Sequence, residues 1–269
     1  MSYSKYYLYK QQVSYDNGIT WSDTLETVPS GSPIATYSTL ADCEAHDYSL
    51  DYLTFVAQES GRFSFTPRYN NVISYSLDSG TTWTEGSVVT VSSGDVVMWK
   101  GEMEPFPNNF LGIGLFSSNG RFIAQGNIMS LLYGDNFDGQ TDLTGKVGAF
   151  MNIFQDCGSN LTSAENLILP ATTLEQYCYY SMFSGCTSIT TAPVLSASTM
   201  VSYCYAQMFK GCTSLTSITC LAYSMSGSNC TKNWVSDVSS SGTFYKHPNA
   251  TWLSGNSGTP DNWTVQDAT

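Results

Sequence analysis

The chain has 269 residues, with 10 Lys and Arg against 22 Asp and Glu, a formal net charge of −12. That balance argues against a nucleic-acid partner, because neutralising phosphates takes clustered cations. No run approaches the roughly eighteen apolar residues of a membrane-spanning helix, and the length leaves room for two modest domains, each with its own core.

Charged residues are scarce while Ser, Thr, Tyr and Gly abound, so hydroxyls rather than ions hydrate the surface. The start, "MSYSKYYLYKQQ", lacks the apolar stretch of a signal peptide. Either a leader has been removed or the protein is made and assembled inside a cell, where the eight cysteines stay reduced.

Residues 1–47 read as a separate segment. "YYLYKQQVSYDNGITWSDTLETV" predicts one long β-hairpin, and "PSGSPIATYSTLADCEAHD" has linker character. A lone hairpin is barely stable in water, so it must pair with the rest of the chain, with a second copy or with a neighbour in an assembly.

The tip of that hairpin, "SYDNGITW" (Ser14 to Trp21), returns as "SLDSGTTW" (Ser76 to Trp83). In each octet the Asp (Asp16, Asp78) is expected to bond backbone N–H groups two residues on, as in an Asx-turn. The Gly (Gly18, Gly80) supplies a positive φ, and the Trp (Trp21, Trp83) anchors the outgoing strand. The octets resemble the Asp-box of sialidase-type propellers, which is structural there. The sialidase reading itself fails on two counts. Too few residues remain for six blades, and the arginines are only Arg62, Arg68 and Arg121, two of them in one segment.

Residues 48–146 alternate apolar and polar positions at period 2, in "YLTFVAQESGRFSFT", "NVISYSLDSGTTW", "SVVTVSSGDVVMWKG" and "GRFIAQGNIMSLLYG". This predicts an antiparallel β-sandwich of immunoglobulin-like size. Glu102 and Glu104 are the nearest approach to paired carboxylates, but a glycosidase pair sits on separate elements across a cleft. Asp135, Asp138 and Asp142 share a glycine-rich loop whose positions fail the EF-hand pattern, leaving a plain turn. No nucleophile elbow occurs, His46 and His247 have no evident partners, and the lack of a Cys-x-x-Cys argues against zinc. No cofactor is expected, and no catalytic residue.

Residues 147–269 are a repeat array. "YCYYSMFSGCTSIT" from Tyr177 and "YCYAQMFKGCTSLT" from Tyr203 match at a period of 26, "NCTKNWVSDVSS" continues the phase, and "AFMNIFQDC" opens it at an offset of 29. Each unit reads as a short helix with Cys178, Met182 and Phe183 on one face, a glycine C-cap at Gly185 or Gly211, and a short strand. Stacked units bury what one cannot. Two cysteine rows follow. Cys178, Cys204 and Cys230 form a buried ladder too widely spaced for disulfides, whereas spacing does not exclude a bridge in the row of Cys157, Cys186 and Cys212. Tyr179 and Tyr205 share a repeat position. That row reads either as packing between rungs, the stronger reading, or as a stacking surface for glycans.

The runs "SAENLILPATTLEQYCYYSMFSGCTSITTAP" and "YCYAQMFKGCTSLTSITCLA", with the ending "GTFYKHPNATWLSGNSGTPDNWTV", resemble BspA-like leucine-rich repeats and their terminal cap. This family occurs in surface proteins of gut anaerobes and in proteins of their bacteriophages. The sandwich and the N-terminal hairpin are similar to segments of phage-encoded proteins. The resemblance implies adhesion or display without catalysis. The expected architecture is an N-terminal β-hairpin, an immunoglobulin-like antiparallel β-sandwich and a short α/β leucine-rich repeat solenoid.

The expected function is a virion component, a fibre or capsid decoration. The N-terminal segment would bind other virion proteins and the repeats a host or mucosal glycan or protein, without nucleic acid or membrane insertion. A homo-oligomer such as a trimer is compatible with this, though no heptad calls for one. A bacterial surface or secreted adhesin and a carbohydrate-binding module of a glycosidase are the alternatives.

Overall fold

The computed structural model describes residues 51–67, 71–104 and 114–268, and the backbone of three short N-terminal strands. These are β1 (Tyr3–Lys5), β2 (Val13–Ser14) and β3 (Ala35–Tyr37), in sheet order β2-β1-β3. The pairing differs from one long hairpin about the first octet. Val13 and Ser14 pair back with Lys5 and Ser4, and β3 comes from the stretch read as linker. The third strand answers the instability of a lone hairpin. Asp16, Gly18 and Trp21 of the first octet lie outside the described residues; its Ser14 ends β2.

The fold is β-rich and mixed. Eight strands follow: β4 (Leu53–Ala57), β5 (Gly61–Phe65), β6 (Ile73–Ser76), β7 (Thr84–Glu85), β8 (Val88–Val91), β9 (Val96–Gly101), β10 (Phe116–Ser118) and β11 (Phe122–Asn127). β10-β5-β8 form one antiparallel sheet, and β11-β4-β9-β6-β7 run through a second. Phe55 of β4 lies 5.3 Å from Phe63 of β5 and 4.8 Å from Phe116 of β10, so an aromatic core separates the two layers. β4 is buried at every position. Leu53, Phe55 and Ala57 face that core, while Val56 packs with Met98, Tyr52 and Trp83 on the other side.

The second sheet does not end at β11. β12 (Leu161–Ser163) and β13 (Leu167–Ile168) join it in parallel. The core therefore crosses residues 146 and 147 without a break: Phe55, Phe116 and Phe122 share it with Phe154, Phe183 and Phe209. A four-residue helix, α1 (Ser130–Tyr133), sits at the junction and is the one α-helix among the described residues.

The described repeat units contain no α-helix, only a three-residue 3-10 turn at Gln155–Cys157 in the opening unit, which corrects the sequence reading. Residues 177–186 and 203–212 are hydrogen-bonded turns in which every fourth residue is left-handed: Tyr177 (φ 61°), Ser181 (φ 50°) and Gly185 (φ 79°), then Tyr203 (φ 56°), Gln207 (φ 56°) and Gly211 (φ 76°). The backbone bonds alternate strictly. Cys178, Tyr180, Met182 and Ser184 donate three residues back, whereas Tyr177, Tyr179, Ser181, Phe183 and Gly185 donate to carbonyls of the next unit, from Ser202 to Lys210. Half the N–H groups thus close turns and half join units, which satisfies the backbone without a helix. A four-residue period also puts Cys178, Met182 and Cys186 on one side, so the spacing that suggested a helix fits the turn ribbon equally well.

Beyond each ribbon the chain extends, and parallel bridges such as Thr191↔Ser217, Leu195↔Cys220 and Thr199↔Ser224 join successive units. The last units form a parallel sheet of β14 (Ser217–Cys220), β15 (Thr243–Lys246) and β16 (Thr264–Asp267). The stack is closed by Trp234, whose Nε1 donates to the carbonyl of Gly258 and whose ring stacks on Trp252 at 5.3 Å.

Candidate functional site, a tyrosine cluster on the turn ribbon

The second octet is a locked hairpin tip between β6 and β7. Its serine does the turn-closing expected of the aspartate: Ser76 Oγ accepts from the N–H groups of Gly80 (2.9 Å) and Asp78 (3.3 Å) and donates to Asp78 Oδ1. Asp78 reaches further, accepting from the N–H of Thr82 (2.8 Å) and from its hydroxyl (2.7 Å). The chain curls this far because Ser79 (φ 58°) and Gly80 (φ 82°) are both left-handed. The Thr82 bonds, then Ser76, hold the Asp78 carboxyl below its ordinary range. Trp83 tilts against Tyr52 at 4.9 Å, and Lys100 Nζ sits 4.2 Å over its indole. The octet anchors a sheet edge.

Two of the three loop carboxylates, Asp135 and Asp142, are occupied structurally, and Asp138 is exposed. Asp135 receives Lys100 Nζ at 2.7 Å and the Tyr52 hydroxyl at 2.8 Å, which lowers its pKa, Lys100 first. Burial, then Asp135, pushes Tyr52 up to about 12. Asp142 caps the N–H of Thr144. Among the described residues no three His, Cys, Asp or Glu gather as for a metal, and no helix is long and apolar enough to cross a membrane. Glu102 and Glu104 are exposed beside a cleft of about 310 Å³ that Tyr133, Asn136 and Lys146 also line.

Tyr179 and Tyr205 cannot offer a glycan surface. Each is 1% exposed, and their rings stack 5.7 Å apart inside the core, continuing from Phe150. Burial pushes both phenols well above their ordinary pKa. A parallel ladder runs Phe116, Phe154, Phe183, Phe209, with neighbours 6.1, 5.4 and 5.7 Å apart. The cysteine row beside it holds no bridge. No disulfide joins Cys157, Cys186 and Cys212, and their thiols donate to the carbonyls of Phe116, Phe154 and Phe183.

The surface tyrosines are a different set. Tyr177 and Tyr203 stack at 4.9 Å with ring planes 18° apart, and Tyr180 meets Tyr177 edge-on at 5.9 Å. Gln207 Nε2 donates to the Tyr180 hydroxyl (2.9 Å) and Asn229 Nδ2 to that of Tyr203 (2.8 Å). The three rings and Gln207 are half-buried and Asn229 is exposed. The repeat pattern singled out Tyr179 and Tyr205, each two positions on from Tyr177 and Tyr203, and not this surface set. A signal was present. Gly148, Tyr177, Tyr203 and Asn229 share one repeat position, all with positive φ, and Gly and Asn mark left-handed sites.

Comparison of the chain with family models, with curated proteins and with solved structures finds no match.

Proposed function

We propose that this is a non-enzymatic display and adhesion protein, a bacteriophage virion component in which a BspA-like leucine-rich repeat solenoid is held out on an immunoglobulin-like sandwich. In this reading residues 1–47 attach it to other virion proteins, residues 48–146 form the sandwich, and residues 147–269 form the solenoid and its cap. The observation that carries the reading is the unbroken aromatic ladder from Phe116 of the sandwich to Phe209 of the repeats. A shared, close-packed core makes the two parts one stiff body, as a presenting arm requires. The seven buried cysteines of the described residues, none in a disulfide, fit assembly in a reducing cytoplasm.

The test is fractionation of a producing culture, with mass spectrometry for this chain in purified phage particles and in cell envelopes. The expected result is enrichment in particles. Recovery from envelopes alone replaces the virion reading with that of a bacterial adhesin.

A further inference from the structure

We propose that the cluster of Tyr177, Tyr180, Tyr203, Gln207 and Asn229 is a binding site for neutral hexopyranose glycans. The proposal deepens the display reading and rests on it.

The argument starts from backbone cost. A left-handed conformation costs a non-glycine residue about 1–2 kcal/mol, and bulky side chains are outliers there. Yet Tyr177 (φ 61°), Tyr203 (φ 56°) and Gln207 (φ 56°) all adopt it. The same repeat position is Gly148 in the first unit and Asn229 in the fourth, so the fold accepts the cheaper residues. Strain of this kind collects at functional sites. The ribbon imposes it at every fourth residue, the buried Asn152 and Ser181 included, but bulky side chains carry it at the surface corners Tyr177, Tyr203 and Gln207, whereas the large aromatic residues inside the stack, Tyr179 and Phe183, are not among the left-handed residues.

The chemistry presented selects the ligand. Tyrosine rings give a rigid amphipathic surface for the C–H face of a sugar at low entropic cost. Gln207 and Asn229 each spend an amide proton in fixing a phenol. No donor among the described residues reaches the side-chain oxygens, Gln207 Oε1 and Asn229 Oδ1, which can accept from ring hydroxyls. The five residues carry no charge, and the chain as a whole carries −12, which disfavours sialylated or sulfated chains. The rings are already stacked, so little ordering remains to oppose binding.

The test uses the full chain in affinity electrophoresis through gels containing mannan, β-glucan or desialylated mucin, with sialylated mucin for comparison. At least one neutral polymer should retard it, and sialylated mucin less than its desialylated form. The double variant Tyr177→Asn with Tyr203→Asn takes the residue the fourth unit uses. It should bind at least tenfold more weakly with no loss of melting temperature. Gln207→Asn, which tolerates the same backbone but withdraws the amide from Tyr180, should weaken retention severalfold. No retardation by any neutral polymer, or undiminished retention in both variants, overturns the site. A chain that is found in particles yet retained by no neutral glycan overturns this site alone. A chain retained by glycan but found only in envelopes overturns the virion reading alone.

Discussion

The thiol of Cys212 donates to the backbone carbonyl of Phe183, 3.1 Å away in the preceding unit. Cys186 makes the same bond to Phe154, and Cys157 to Phe116. The sandwich residue Phe116 therefore occupies the place of a repeat unit before the first repeat. The stack does not abut the sandwich; it starts within it.

Thiols so placed should be inert. Burial raises Cys178, Cys212 and Cys220 from an ordinary 9.0 to about 12, and the thiolate is the reactive form. Iodoacetamide at pH 8 should add at most one group to the native chain, at Cys43 outside the described residues, and eight groups in denaturant, read by intact mass. The same shift makes the fold alkali-sensitive. The folded state holds these protons while the unfolded state releases them, so stability is whole below pH 9 and falls between about 9 and 12, by up to ~1.4 kcal/mol per thiol per pH unit. A urea midpoint lower at pH 10 than at pH 8 is expected, and an unchanged midpoint contradicts the burial.

Continuity of the core predicts a single unfolding unit. Phe154 is fully buried and contacts Phe55 and Phe116 of the sandwich and Phe183 of the repeats. Phe154→Ala should cost about 3–5 kcal/mol and lower one shared transition, with near- and far-ultraviolet dichroism superimposing before and after substitution. Two separated transitions would mean that sandwich and stack hold together independently.

What the sequence disclosed follows from what side-chain spacing records. The repeat phase, the cysteine rows and the second octet all depend on identity at fixed intervals, and were legible. Handedness was not. Cys178, Met182 and Phe183 recur every four or five residues in a helix and in a turn ribbon alike, and Gly185 suits a helix C-cap or a ribbon corner because both need positive φ. Without the ribbon, Tyr177 could not be told from Tyr179 two positions on. One faces outward at a corner and the other lies in the core. Nor does a strand's alternation reveal that Phe116 begins the ladder, since that depends on how two distant segments meet.

The octet owes its shape to its serine more than to its aspartate. Ser76 is buried, and its hydroxyl serves two N–H groups and Asp78. Ser76→Ala should cost about 1–2 kcal/mol, measured by denaturant titration. Asp78 has a lowered pKa, so its contribution is present above its ordinary 3.8 and lost as pH falls through the lower folded value. The gap between wild type and Ser76→Ala should narrow in acid, because the bond to Asp78 is one of those lost.

Gly126 marks where the sandwich closes on the first repeat. Its φ is +79°, and a Cβ there would run into the backbone carbonyl of Tyr52. Its N–H donates to the carbonyl of Asn166 at 3.0 Å, within the parallel pairing of β11 to the repeats. Backbone cannot yield as a side-chain tip can, so Gly126→Ala should cost about 3 kcal/mol or more from strain and collision together. Gly145 is the control: its φ is +76°, but a Cβ would meet nothing within 4 Å. Gly145→Ala carries the left-handed penalty alone, about 1–2 kcal/mol. Denaturant midpoints for both variants separate the two effects, and equal losses would show that the approach of Tyr52 to Gly126 is not what holds the junction closed.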